Sequence, residues 1–286
     1  MISDITLGQF FPGRSPIHRL DPRTKIILAT LFIVGVFFAN NPASFAFILL
    51  STVVLILLSK IPLRIILKSI KPLVFILLFT ALINVFVTKG ENPPLVSFWI
   101  IEIYTEGIAR AIMMALRVIM LIVGSSILLT YTTSPISLTD GLESLLSPLK
   151  IIHLPVHTFA MMMSIALRFI PTLVEETEKI MNAQKSRGAD FTSGSLIQRG
   201  KALIPILVPL FVSSFKCAEE LATAMECRCY RGDNNRTKLV KLEYHRLDFA
   251  FIAIFVLLLA ALICLTILPY KFESFGIVYD ILFFKV

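Results

Sequence analysis

"FAFIAIFVLLLAALICLTIL" (residues 249–268) runs for twenty residues without a charge. At a rise of about 1.5 Å per residue, a helix of that length covers about 30 Å, the thickness of a bilayer's hydrocarbon core. Lipid offers no hydrogen bonds, so a spanning segment must satisfy its own backbone, which a helix does internally. The run therefore predicts a transmembrane helix and sets the class: an all-α, polytopic membrane protein.

The composition agrees. Hydrophobic side chains make up 56% of the 286 residues and charged ones only 16%, where a soluble domain carries about 25%. Phe occurs 23 times and Trp once, which favours lipid-facing bulk over a Trp-rich interfacial belt. Four more apolar runs lie at 26–39, 43–58, 72–87 and 107–129, giving about five transmembrane helices. The first three are 14–16 residues long, so flanking residues or local thinning must complete them. The fourth carries Arg110 near one end and Arg117 at mid-run. Arg117 is expected to face protein or a polar cavity, because a lipid-facing charge costs a few kcal/mol at least.

Charge by loop gives the orientation. Residues 1–25 hold Arg14, Arg19, Arg23 and Lys25, and the turn at 40–42 holds no charge. The stretch 59–71 ("SKIPLRIILKSIK") holds four cations, whereas 88–106 holds one Lys against Glu91, Glu102 and Glu106. The alternation puts the N-terminus inside, and no cleavable signal is expected after Met1. The same segregation by loop argues against reading the net charge of +8 as a nucleic-acid footprint.

Three regions follow: 1–130 with four transmembrane helices, 131–248 as a cytoplasmic domain, and 249–286 as the last helix with a short tail. The middle region, with 14 Lys/Arg and 12 Asp/Glu, is too long for a simple loop and too charged to lie in lipid throughout. Its period is helical, grading from apolar to polar over 151–188 and again over 202–232, which gives a bundle of amphipathic helices. The stretch 202–215 is apolar enough for a re-entrant or partly embedded helix. Pro171, Pro205 and Pro209 are expected to start or kink helices.

The two polar helix ends repeat one pattern. Glu178, Ala183 and Arg187 are spaced five and then four apart, and so are Glu219, Ala224 and Arg228. Each Ala lies one turn before its Arg on the same face. Gly188 supplies a left-handed stop after the first arm, while Cys229 stands there in the second. An Arg in a last turn is a helix-dipole partner in many proteins. The matched spacing points further, to two docking tips for a two-headed partner.

No catalytic set emerges. His153 and His157 are four apart, but Pro155 separates them and no third ligand is evident, so no metal site is expected. Cys217, Cys227, Cys229 and Cys264 read as free thiols, with Cys227 and Cys229 on opposite sides of a helix. "GSLIQRGKA" (194–202) lacks the spacing of a phosphate loop. Met161, Met162 and Met163 read as adaptable packing.

"SPIHRLDPRTKI" (15–26) resembles the N-terminal signature of the transmembrane T component of energy-coupling factor transporters. "SRG" (186–188) and "CRC" (227–229) resemble that family's paired Ala-Arg-Gly motifs, with Ser186 for Ala in the first and Cys227 and Cys229 for Ala and Gly in the second. The resemblance covers essentially the whole chain. It implies a coupling subunit without chemistry or cofactor of its own, in a bacterial or archaeal cell membrane. It joins two ABC-type ATPases to a membrane S component that captures a vitamin or a metal ion. It makes Arg187 and Arg228 the ATPase-docking residues, with Ala183, Ser186, Gly188, Ala224, Cys227 and Cys229 shaping the contacts. Two other classes compete. A polytopic membrane enzyme acting on lipid needs a converging acid–base or metal set. A stand-alone secondary transporter needs inverted repeats among its spanning helices, whereas the repeat here lies in the arms.

Overall fold

The structure is a computed structural model describing residues 10–87, 96–98, 101–152, 155–189, 191, 196–230, 232 and 242–267. The stretch 88–95, His153 and the tail beyond 267 lie outside the described residues. The chain divides into two compact units, Gly8–Ser134 with Leu242–Val286, and Pro135–Lys241.

The first unit contains α1 (Pro22–Phe38), α2 (Pro42–Ser59), α3 (Leu63–Ile70), α4 (Val74–Val87), α5 (Thr105–Ser125) and α9 (Arg246–Ile267). A two-strand hairpin, β1 (Val96–Phe98) against β2 (Ile101–Ile103), precedes α5. The second unit contains α6 (Pro135–Leu146), α7 (Val156–Ser186) and α8 (Leu196–Cys227). Among the described residues, six helical stretches are long and apolar enough to cross a membrane. Four of them carry runs expected to span; α1, at 17 residues, carries the remaining one. The other two are Val156–Ser186 and Gly200–Cys227 in the second unit. The chain is a multi-pass membrane protein.

The basic stretch 59–71 is not simply a loop: α3 begins at Leu63, and a 3-10 turn at Lys71–Leu73 leads directly into α4. Lys60, Arg64, Lys68 and Lys71 fall three or four residues apart and are all exposed, while Ile66 is buried. α3 is an amphipathic helix with Arg64 and Lys68 one turn apart on one face, while Lys60 is the left-handed C-cap of α2.

Helix starts are written locally. Asp21 and Pro22 occupy the N-cap and N1 of α1, and Asp21 Oδ1 accepts from Arg23 N at 2.9 Å. Asn41 and Pro42 open α2 likewise, with Asn41 N donating to Ser44 Oγ at 3.0 Å. α1 and α9 run parallel. At one end Asp248 Oδ1 accepts from Asp21 N at 2.9 Å; at the other Thr266 Oγ1 donates to Phe38 O at 3.4 Å. α2 returns antiparallel from the Thr266 end, where Asn41 Nδ2 donates to Thr266 O at 3.4 Å.

The core lies between α1, α2, α5 and α9 and includes Leu28, Phe32, Val36, Ile48, Met120, Ile127 and Leu262. Gly124 lets α1 approach α5: a Cβ there would fall 2.1 Å from Phe32 Cε1. Arg117 faces protein as expected. Its guanidinium donates to Ala39 O at the end of α1 and to Asn40 Oδ1, and lies 5.2 Å from the centre of the Phe45 ring. Elsewhere large apolar side chains such as Leu57, Phe75 and Leu257 are exposed, which suits a lipid-facing surface.

A buried polar node ties the unit together, and the 15–26 signature builds half of it. α5 ends in a widened π turn (Ser126–Tyr131), leaving C-terminal carbonyls in need of donors. Phe11 N donates to Tyr131 O at 3.0 Å, and buried Lys25 Nζ donates to Thr132 O at 2.8 Å and to His18 O at 3.2 Å. His18 Nε2 lies 2.9 Å from Phe11 O, so that nitrogen carries the proton, and Nδ1 accepts from Ser15 Oγ at 2.7 Å. Asp248, fully buried, takes a third segment: its Oδ2 accepts from His245 N at 2.7 Å in a capping-box arrangement.

Two outcomes follow from the node. Asp248→Ala leaves two backbone donors without partners and is expected to cost about 3 kcal/mol, with Asp248→Asn costing less because one acceptor oxygen remains; thermal unfolding in detergent measures both. Burial, with the Lys25 charge adding to it, holds His18 below its ordinary 6.5 against the opposing bond to Phe11 O. The unfolded imidazole therefore protonates first, and this part of the stability is present above about pH 6.5 and lost below it. The midpoint of wild type should fall further than that of His18→Gln between about pH 7.5 and about pH 5.5.

A candidate docking site: two identically capped arms

α7 and α8 form an antiparallel hairpin. Gln184, near the end of α7, donates from Nε2 to Pro205 O at 3.5 Å, and Tyr230, just past α8, donates from Oη to Met161 Sδ at 3.2 Å. Pro171 lies inside α7, and Pro205 and Pro209 lie inside α8, so none of the three starts a helix. The Gln184 bond shows how one is accommodated. Pro209 has no N–H for the carbonyl four residues back, and that carbonyl is the one Gln184 reaches.

The two arms close with the same set of bonds. Arg187 N donates to Ala183 O (3.3 Å) and Gln184 O (3.1 Å), Gly188 N to Lys185 O (2.9 Å), and Ala189 N to Gln184 O (3.0 Å). In the second arm Arg228 N donates to Ala224 O (3.3 Å) and Met225 O (3.2 Å), Cys229 N to Glu226 O (2.8 Å), and Tyr230 N to Met225 O (3.0 Å). Both are Schellman closures, which spend the last N–H groups on otherwise unpaired carbonyls. The left-handed residue is Gly188 in one, at φ +86°, and Cys229 in the other, at φ +57°.

The closures leave both arginines exposed, and exposure repeats residue for residue: Ser186 and Cys227, Gly188 and Cys229, and Ala183 and Ala224 are all exposed. Among the described residues neither guanidinium has a hydrogen bond or an ion pair. Because the hairpin is antiparallel, the tips stand at opposite ends: Met161, beside the second tip, and Arg187 are separated by roughly 40 Å of helix at about 1.5 Å per residue.

The hairpin also presents apolar surface. Leu207, Val208, Phe211, Val212 and Phe215 are exposed along α8, with the last two rings in edge contact at 4.9 Å. Met162 and Met163 are exposed on α7. The sequence reading missed the partner of His157, whose Nδ1 lies 2.9 Å from Glu143 Oε1 on α6; a pair that crosses between helices leaves no spacing to read. Among the described residues no group of three His, Cys, Asp or Glu side chains could hold a metal, and all four cysteines are free.

Six of the described helical stretches are long and apolar enough to cross a membrane, and the hairpin carries two exposed cationic tips. Comparison with known sequences gives the class: residues 13–239 match the CbiQ family, described as cobalt transport protein. The chain belongs to this family and is a membrane component of a transporter. It is 52% identical over 268 residues to the energy-coupling factor transporter transmembrane protein EcfT of Clostridium kluyveri, covering 94% of this chain and 97% of that one. It is 52% identical over 265 residues to EcfT of Acidaminococcus fermentans, covering 90% and 97%. With EcfT of Bacillus subtilis the identity is 48% over 262 residues, covering 92% and 98%.

The left-handed cap is testable in place. Cys229→Gly relieves a Cβ in the αL region, worth about 1 kcal/mol, and should slow amide exchange at Tyr230 about fivefold. Gly188→Ala, whose Cβ meets no neighbour, should cost a similar amount through backbone strain alone and speed exchange at Ala189.

Proposed function

We propose that this chain is the transmembrane coupling subunit of an energy-coupling factor importer. Arg187 and Arg228 dock into two cytosolic ABC-type ATPases, with Ala183, Ser186, Gly188, Ala224, Cys227 and Cys229 letting the partner surfaces close on each tip. The N-terminus and the 131–248 domain face the cytoplasm, as the basic loops require. The hairpin's apolar surface receives a membrane S component that captures a vitamin or a metal ion. ATP is hydrolysed in the partner subunits, and the resulting change in their separation is carried through α7 and α8 to the S component. Such coupling works because the two ATPase states hold the tips differently.

The observation that carries the reading is the repeated closure: two tips with one backbone geometry, each offering an exposed guanidinium, at the two ends of one hairpin. A fork of that kind suits a carboxylate or a rim of carbonyls. Single Ala substitutions at Arg187 or Arg228 should weaken ATPase co-purification about tenfold or more, and the double substitution should abolish it while membrane insertion stays intact. Affinity capture of the ATPases with each variant measures this; full retention with the double variant would refute the docking role.

A further inference from the structure

A cleft of about 490 Å³ lies between α1, α2 and α9, within the first unit. Its walls include Phe47, Val54 and Leu58 of α2 and Phe251, Leu258 and Leu262 of α9. Gly35 of α1 also lines it, and a Cβ built there meets nothing within 4 Å. The hydroxyl on the wall is spent locally, Ser51 Oγ donating to Ile48 O at 2.7 Å. The cleft therefore offers apolar contact and no polar recognition along its length.

Its length suits a lipid chain. From Phe47 to Leu58 the wall is about 16 Å long at 1.5 Å per residue, which matches half of a hydrocarbon core about 30 Å thick, the depth that one leaflet's acyl chains occupy. Methylenes pack against such walls at carbon–carbon contact, about 4 Å.

One end of the cleft is cationic. α9 enters it from Arg246, and α2, running the other way, leaves it at Lys60; both residues are exposed. Arg64 follows, exposed, one turn of chain after Lys60. Glu243 is the exposed acid near this end, while Asp21 and Asp248 are buried in the node. Among the described residues none of these three cations is held in an ion pair. Cations at the mouth of an interhelical cleft attract anionic head groups.

We propose that this cleft seats one acyl chain of an anionic phospholipid from the surrounding leaflet, with its phosphate at Lys60, Arg64 and Arg246. The seated chain completes the packing of α9 against α1 and α2, so the lipid is a structural ligand of the spanning unit.

The test uses the full chain with its co-purifying subunits in phosphatidylcholine vesicles containing a phosphatidylglycerol with a photoactivatable acyl chain. Adducts are expected on the cleft-lining peptides of α2 and α9. Gly35→Leu, which fills the cleft from α1, should lower that labelling about fivefold at unchanged thermal midpoint, and Ser51→Leu should do the same from α2 if the first variant does not insert. Lys60→Gln with Arg246→Gln should keep the labelling but reduce the preference for photoactivatable phosphatidylglycerol over the matching phosphatidylcholine about threefold. Labelling that ignores both filling variants, equal labelling by the two lipids in the unaltered protein, or a cleft that cross-links instead to another polypeptide would each overturn the proposal.

Discussion

A single buried carboxylate holds the membrane unit closed on itself. Asp248 accepts from the backbone of its own helix start and from Asp21, a residue at the far end of the chain. Removing its charge from water is costly, and the two backbone donors offset that cost only while α9 stands beside α1. Lys25 plays the complementary part at the end of α5, where its ammonium lies on two carbonyls. The helices of this unit are thus registered at one end by hydrogen bonds that the apolar core, which is direction-blind, does not supply.

The frame of the fold was legible because lipid imposes a length rule. The run 249–268 matches α9 (Arg246–Ile267), and 107–129 matches the continuous helical stretch of α5 and its π turn. Composition could not tell a loop cation from a structural one. Lys25 reads as one of four positive charges in an N-terminal segment, yet it is buried, and one of its two partners, Thr132 O, lies 107 residues away. Arg64 and Lys68 read as part of a basic loop, yet their four-residue spacing already described a helix face.

The arms show the same division. Their common spacing of Glu, Ala and Arg is a local pattern and could be found without coordinates. That Cys229 takes the left-handed position of Gly188 could not, since a side chain there opposes the backbone preference and only the surrounding closure enforces it. Gln184 beneath Pro205 is a further case: the proline signal was strong, but its remedy sat on the neighbouring helix.

One geometric consequence belongs to the antiparallel hairpin itself. Two handles fixed to opposite ends of a strut cannot draw together unless the strut bows or its halves shear. Ordinary helix resists bowing through its ladder of axial bonds, and α8 lacks two rungs of that ladder at Pro205 and Pro209. The long-range amide bond across this weak place comes from the opposite member, next to the first handle. Two missing rungs lie near one grip, against the single one that Pro171 removes from α7 toward the other, and a squeeze applied to both would be converted into motion unevenly along the strut.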